Sequence, residues 1–105
     1  WEGAKTYFYN RDSYAVYSFD LSKYRDLDDL AVTINTYFDP SIGRLEIYNA
    51  NVMAYEQAGD DIFSIKDENK DTYINPGGMV YIRIYSNQQS VYIPTPSISI
   101  EGRVR

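Results

Sequence analysis

The sequence predicts an all-β fold, a two-sheet antiparallel β-sandwich of eight or nine strands, on three observations. Eleven Ile and six Val stand against four Leu and six Ala, with twelve Tyr, four Phe and one Trp. Such β-branched and aromatic side chains suit a pleated surface and lose rotamer freedom in helices. Apolar residues alternate with polar ones along most segments, the pattern of a half-buried strand. Turn residues punctuate the chain at roughly 8–12-residue intervals, the spacing of sandwich strands. No amphipathic stretch of about 10–15 residues is present to carry a parallel crossover.

Each element follows from local chemistry. Lys5–Tyr9 forms a first strand that ends near Asn10, Arg11 and Asp12; its Tyr7 and Tyr9 share a face opposite Phe8, and either face can be the buried one. In Tyr14–Leu21, Tyr17, Phe19 and Leu21 share one face, and Ser18 and Asp20 the other. Residues 22–29 carry turn and cap residues compatible with one helical turn. Leu30, Val32 and Ile34 line one face of the next strand, which ends at the turn Phe38-Asp39-Pro40-Ser41-Ile42-Gly43. Arg44–Tyr48 points Leu45 and Ile47 inward and Arg44, Glu46 and Tyr48 outward. Asn49-Ala50-Asn51 leads into a strand over Val52–Glu56, with Val52 and Ala54 opposed to Met53 and Tyr55. Gly59-Asp60-Asp61 turns into Ile62–Lys66, and a polar loop over Asp67–Asp71 precedes a short strand over Thr72–Asn75. Pro76-Gly77-Gly78 then introduces Met79–Tyr85, with Val80, Ile82 and Ile84 on one face and Met79, Tyr81, Arg83 and Tyr85 on the other. Asn87-Gln88-Gln89 turns the chain into Val91–Ile93 and Ser97–Val104, separated by Pro94 and Pro96, which cannot donate to a ladder.

At 105 residues and 12.2 kDa the chain fits a single domain, residues 1–105, able to bury a core without staples. It opens on Trp1 with no initiator methionine, so excision from a larger protein is the expectation.

Three segments carry a family resemblance. Asp12-Ser13-Tyr14-Ala15-Val16-Tyr17-Ser18-Phe19-Asp20-Leu21 resembles the opening strand of the bacterial pre-peptidase C-terminal domains. Leu45-Glu46-Ile47-Tyr48-Asn49-Ala50 is similar to their middle strand, and Pro76-Gly77-Gly78-Met79-Val80-Tyr81-Ile82-Arg83-Ile84-Tyr85 to their Pro-Gly-led strand. Ser41-Ile42-Gly43-Arg44 stands where those domains often carry an Asp-x-Asp cluster. The resemblance implies a jelly-roll-like sandwich of the kind found beside catalytic domains in secreted enzymes, with relatives in clostridial collagenases that bind collagen.

Composition excludes several chemistries. Without cysteine there is no disulfide, thiolate nucleophile or zinc–cysteine site; without histidine there is no Ser-His-Asp or Cys-His relay. Ten Lys and Arg against fifteen Asp and Glu leave a net charge of −5 and a pI near 4.5, which repels a phosphate backbone and argues against nucleic acid. No run of ~18 apolar residues suggests membrane insertion. The carboxylates Asp26, Asp28, Asp29, Asp60 and Asp61 fall in turn-like segments, where aspartate bonds its own backbone. No pair stands out as the two acids ~5–9 Å apart that glycoside hydrolysis needs. A non-enzymatic role is the expectation.

Two groups of residues are candidates for binding. Asp67-Glu68-Asn69-Lys70-Asp71 matches half of a calcium loop, but Thr72 and Gly78 occupy the positions where an EF-hand needs glycine and glutamate. A sandwich-edge calcium site from Asp67, Asn69 and Asp71 remains as one reading and a solvated loop as the other, with Lys70 opposing the ion; no other cofactor is called for. Gly77-Gly78 lacks the following helix and Lys-Ser/Thr of a phosphate loop. Tyrosines on polar strand faces carry the stronger signal. Tyr81, Arg83 and Tyr85, with Glu46 and Tyr48, would share a surface if strands 44–48 and 79–85 lie in one sheet. A tyrosine offers a rigid apolar plate with a polar tip, suited to a sugar ring flanked by hydrogen-bonding groups. Cross-strand pairing for stability is the alternative role for the same rings.

The function expected is a non-catalytic binding or accessory module of a larger extracellular or cell-surface bacterial protein, with a polysaccharide as partner. The alternative is a structural or protein-interaction sandwich of a surface or phage assembly, with exposed Tyr, Met79 and Val buried against another subunit.

Overall fold

The computed structural model describes residues 5–36, 39–58 and 62–104. Trp1, Phe38 and the Gly59-Asp60-Asp61 turn expected from sequence lie outside them. Among the described residues nine strands form: β1 (Lys5–Phe8), β2 (Ser13–Asp20), β3 (Asp28–Asn35), β4 (Gly43–Asn49), β5 (Ala54–Gln57), β6 (Ile62–Lys66), β7 (Met79–Ser86), β8 (Val91–Pro94) and β9 (Ser97–Arg103). A single helical turn, α1 (Lys70–Tyr73), stands between β6 and β7.

All pairings are antiparallel, and the ladders run β2-β7-β4-β5, β6-β3-β9 and β1-β8. The sequence predicts two sheets, and the structure carries three ladders because Pro94-Thr95-Pro96 interrupts the final strand. Its first half pairs with β1, ending at Lys5↔Pro94; its second half pairs with β3, starting at Asn35↔Ser97. The three sheets, β2-β7-β4-β5, β6-β3-β9 and β1-β8, enclose one core in an all-β, sandwich-like fold.

Alternation delivers the core between these sheets. Leu30, Val32 and Ile34 from β3 meet Leu45 and Ile47 from β4 and Val80, Ile82 and Ile84 from β7 in one buried cluster, which Phe8, Ile65, Ile74 and Ile93 extend. Burial of Phe8 and Ile93 settles the first strand: Phe8 faces inward, and Tyr7 and Tyr9 face out.

Two segments depart from the strand pattern. The strand expected over Val52–Glu56 begins only at Ala54, and Val52 and Met53 are exposed in a turn. The Asn49 side-chain oxygen accepts from the N–H groups of Asn51 and Val52, and Met53 takes φ +57°, so local Asx chemistry outweighs alternation. The strand expected over Thr72–Asn75 is instead the turn α1, closed by Ile74 N–H donating to the Lys70 carbonyl at 2.7 Å. That geometry buries Ile74 and packs the Tyr73 ring on Phe63 with centroids 5.0 Å apart. Residues 22–26 form one turn, in which the Leu21 carbonyl accepts from Tyr24 and Arg25.

Candidate functional site

The outer face of the four-stranded sheet gathers the tyrosine-rich positions. Register places Arg44 beside Tyr85 and Glu46 beside Arg83 across β4 and β7, and Tyr14 beside Tyr85 across β2 and β7. On the far side, β5 sets Gln57 beside Glu46 and Tyr55 beside Tyr48. Tyr48, Glu46, Tyr81, Arg83 and Tyr85 therefore lie on one surface, as strands 44–48 and 79–85 are neighbours. Tyr14, Tyr55, Gln57 and Arg44 join them. Alternation could mark each of these as outward-facing, but only the strand order reveals that they are adjacent.

Glu46 is the centre of this face. Its carboxylate accepts from Arg44 Nε and Arg83 Nε, both at 2.6 Å, and its side chain is only 8% exposed although it points away from the core. Burial pushes the Glu46 carboxyl up, but the hydrogen bonds and positive charges of the two arginines outweigh this and hold it below the ordinary carboxylate value. The guanidiniums also lie over aromatic rings: Arg44 over Tyr85 at 4.1 Å, and Arg83 over Tyr14 at 4.1 Å and Tyr55 at 4.2 Å. The Tyr85 hydroxyl donates to Asp12 at the rim, and this bond, with some desolvation, raises its pKa.

The rings do not make one flat platform. Tyr48 meets Tyr55 and Tyr81 edge to face, at interplanar angles of 72° and 84°, and Arg44 already covers Tyr85. What the face presents is a mosaic of ring edges, phenol hydroxyls and guanidinium edges. Among the described residues no protein acceptor or donor meets the hydroxyls of Tyr48 and Tyr81.

The candidate calcium ligands are placed differently. Asp67 accepts from the Leu30 N–H at 3.1 Å, Asn69 from the Lys66 N–H at 2.7 Å, and Asp71 from Arg25 at 3.0 Å. Each oxygen thus braces the loop around α1, and Lys70 Nζ lies 4.0 Å from Asp67. Among the described residues no group of three or more His, Cys, Asp or Glu side chains is gathered.

A second aromatic group, in which Tyr92 joins the shared face of Tyr7 and Tyr9, lies outside β1 and β8. Tyr7 contacts Tyr9 and Tyr92 with ring centroids 4.4 and 4.6 Å apart, and Tyr9 and Tyr92 are 75% and 65% exposed.

No family model, curated protein or solved structure matches this chain.

Proposed function

We propose that the chain is a non-catalytic polysaccharide-binding module, an accessory unit of an extracellular bacterial protein, and that the outer face of β2-β7-β4-β5 is its binding surface. The supporting observation is the convergence of Tyr48, Tyr81, Arg83, Tyr85 and Glu46 on one sheet surface, with Arg44, Tyr14, Tyr55 and Gln57 filling the spaces between them. Ring edges give apolar contact to a pyranose, and the phenol and guanidinium groups beside them hydrogen-bond its hydroxyls. A ladder of neighbouring strands fixes these positions, so little side-chain freedom is lost on binding. The reading needs no cofactor.

Affinity electrophoresis through gels containing a panel of neutral and acidic polysaccharides tests it. At least one polysaccharide should retard the protein, and the doubly substituted Tyr81→Ala, Tyr85→Ala protein should run freely while keeping its β circular dichroism. Migration unaffected by any polysaccharide, or equal retardation of the variant, would overturn the assignment.

The protein-interaction reading draws its own support from the other layer, where Tyr9 and Tyr92 stand exposed around Tyr7. Light scattering separates the two: a stable oligomer dissociated by Tyr9→Ser and Tyr92→Ser favours that reading, and a monomer favours the glycan one.

A further inference from the structure

We propose that this face selects polysaccharides bearing carboxylate groups, uronic-acid polymers, through the free edges of Arg44 and Arg83; the inference rests on the glycan reading above and names its ligand class. A guanidinium carries five N–H donors in a fixed fork. Among the described residues each of these two arginines donates only through Nε, to Glu46. Among the described residues nothing accepts from their terminal Nη groups, and the side chains of Arg44 and Arg83 remain 40% and 29% exposed.

Their direction is already set. The Nε bond to Glu46 and the ring contacts with Tyr85, Tyr14 and Tyr55 hold each guanidinium in place before any ligand arrives. A donor fork fixed in advance loses less conformational freedom on binding than a free arginine.

Charge points the same way. Two arginines share one buried carboxylate, which leaves one positive charge in excess at the centre of the face. The chain as a whole is at −5, and Asp12 sits at the rim under the Tyr85 hydroxyl. At physiological ionic strength, however, the Debye length is about 8 Å, so a group seated on the arginines is screened from most distant carboxylates. A planar carboxylate matches the fork in geometry and can accept two parallel N–H bonds while supplying the opposite charge, which a neutral hydroxyl cannot. Tyr48 and Tyr81, two positions along the same face from Glu46 and Arg83, offer phenol hydroxyls suited to the sugar that carries the carboxylate, which favours a uronate over an acidic peptide.

The experiment is affinity electrophoresis at physiological salt with polygalacturonate, alginate and hyaluronate, each beside its carboxyl-reduced neutral counterpart, and with polyglutamate as a peptide arm. At least one uronate polymer should retard the protein, with at least a tenfold loss of affinity on carboxyl reduction. Arg44→Gln should abolish the retardation and Arg44→Lys, which keeps the charge but not the fork, should weaken it several-fold. Arg44 is chosen because its loss leaves the Arg83–Glu46 pair intact; thermal unfolding confirms that both variants fold. Equal retardation by a neutral counterpart overturns the carboxylate inference and leaves the polysaccharide reading standing. Equal retardation by polyglutamate overturns the preference for a sugar. Retardation by none of the three uronates overturns the inference, and the neutral polysaccharides of the wider panel then decide the reading beneath it.

Discussion

Glu46→Gln is the most informative single change outside the core. The wild-type carboxylate offers one oxygen to Arg83 and the other to Arg44, each at 2.6 Å. An amide of the same shape keeps one acceptor and turns an NH₂ donor toward the second guanidinium. One charge-assisted bond, worth about 1.5–3 kcal/mol, is lost, and the other keeps its cationic donor but loses its anionic acceptor. Relief from burying a carboxylate offsets part of this, and partial exposure of both arginines lets water reach their freed donors. Complete rupture of a buried ion pair costs about 3–5 kcal/mol, so a net loss of about 2 kcal/mol is expected, or ~8 °C in Tm for a domain of this size. Urea unfolding followed by circular dichroism measures it. The dependence on pH gives a second check. The folded-state pKa of Glu46 lies below its unfolded value, so its stabilisation is present above the ordinary carboxylate range and fades as pH falls through the folded pKa. The gap between wild type and Glu46→Gln should be full at pH 7 and shrink below about pH 4. A gap under about 0.5 kcal/mol at pH 7, or one that stays constant into acid, would refute the account of this face.

Two further predictions concern the scaffold. Gly78 takes φ +86°, and a Cβ there would lie 2.6 Å from Ser22 Cα, so Gly78→Ala should cost about 2–4 kcal/mol in urea unfolding; a cost below about 1 kcal/mol would contradict that contact. The Tyr73 hydroxyl donates to Glu56 at 2.5 Å, and that bond, with burial, pushes its pKa up to about 12. A raised folded-state pKa gives stability that is present below about pH 10 and lost as pH rises toward 12. The advantage of wild type over Tyr73→Phe should therefore fall through that window, and parallel stability profiles would rule the bond out as its cause.

Much of the fold can be read from single-strand alternation. In β7 the inward Val80, Ile82 and Ile84 and the outward Tyr81, Arg83 and Tyr85 follow directly from the pattern, and the Pro94–Pro96 break is plain from proline chemistry. Where a side chain could bond its own backbone, alternation misled: Asn49 turned Val52 and Met53 out of a strand. Asn69 likewise accepts from the Lys66 N–H just before α1, where Tyr73 and Ile74 read as strand residues. The outward set Tyr48, Glu46, Tyr81, Arg83 and Tyr85 was legible residue by residue. Burial of Glu46 was not, because it depends on arginines arriving from β4 and β7 together with cover from β5. Nor was the part played by Tyr14, whose proximity to Arg83 is a matter of register between β2 and β7. Such information resides in pairings between segments distant in sequence.

The proline-split final strand divides its hydrogen bonds between two partners, so the β1–β8 ribbon joins the rest of the molecule through the packing of Phe8 and Ile93 rather than through a shared ladder. The four-stranded sheet has no such division, since β7 is paired along its length with β2 and over Gly43–Ile47 with β4. The arginine and tyrosine array is thus carried by the sheet whose four strands are joined by continuous pairing.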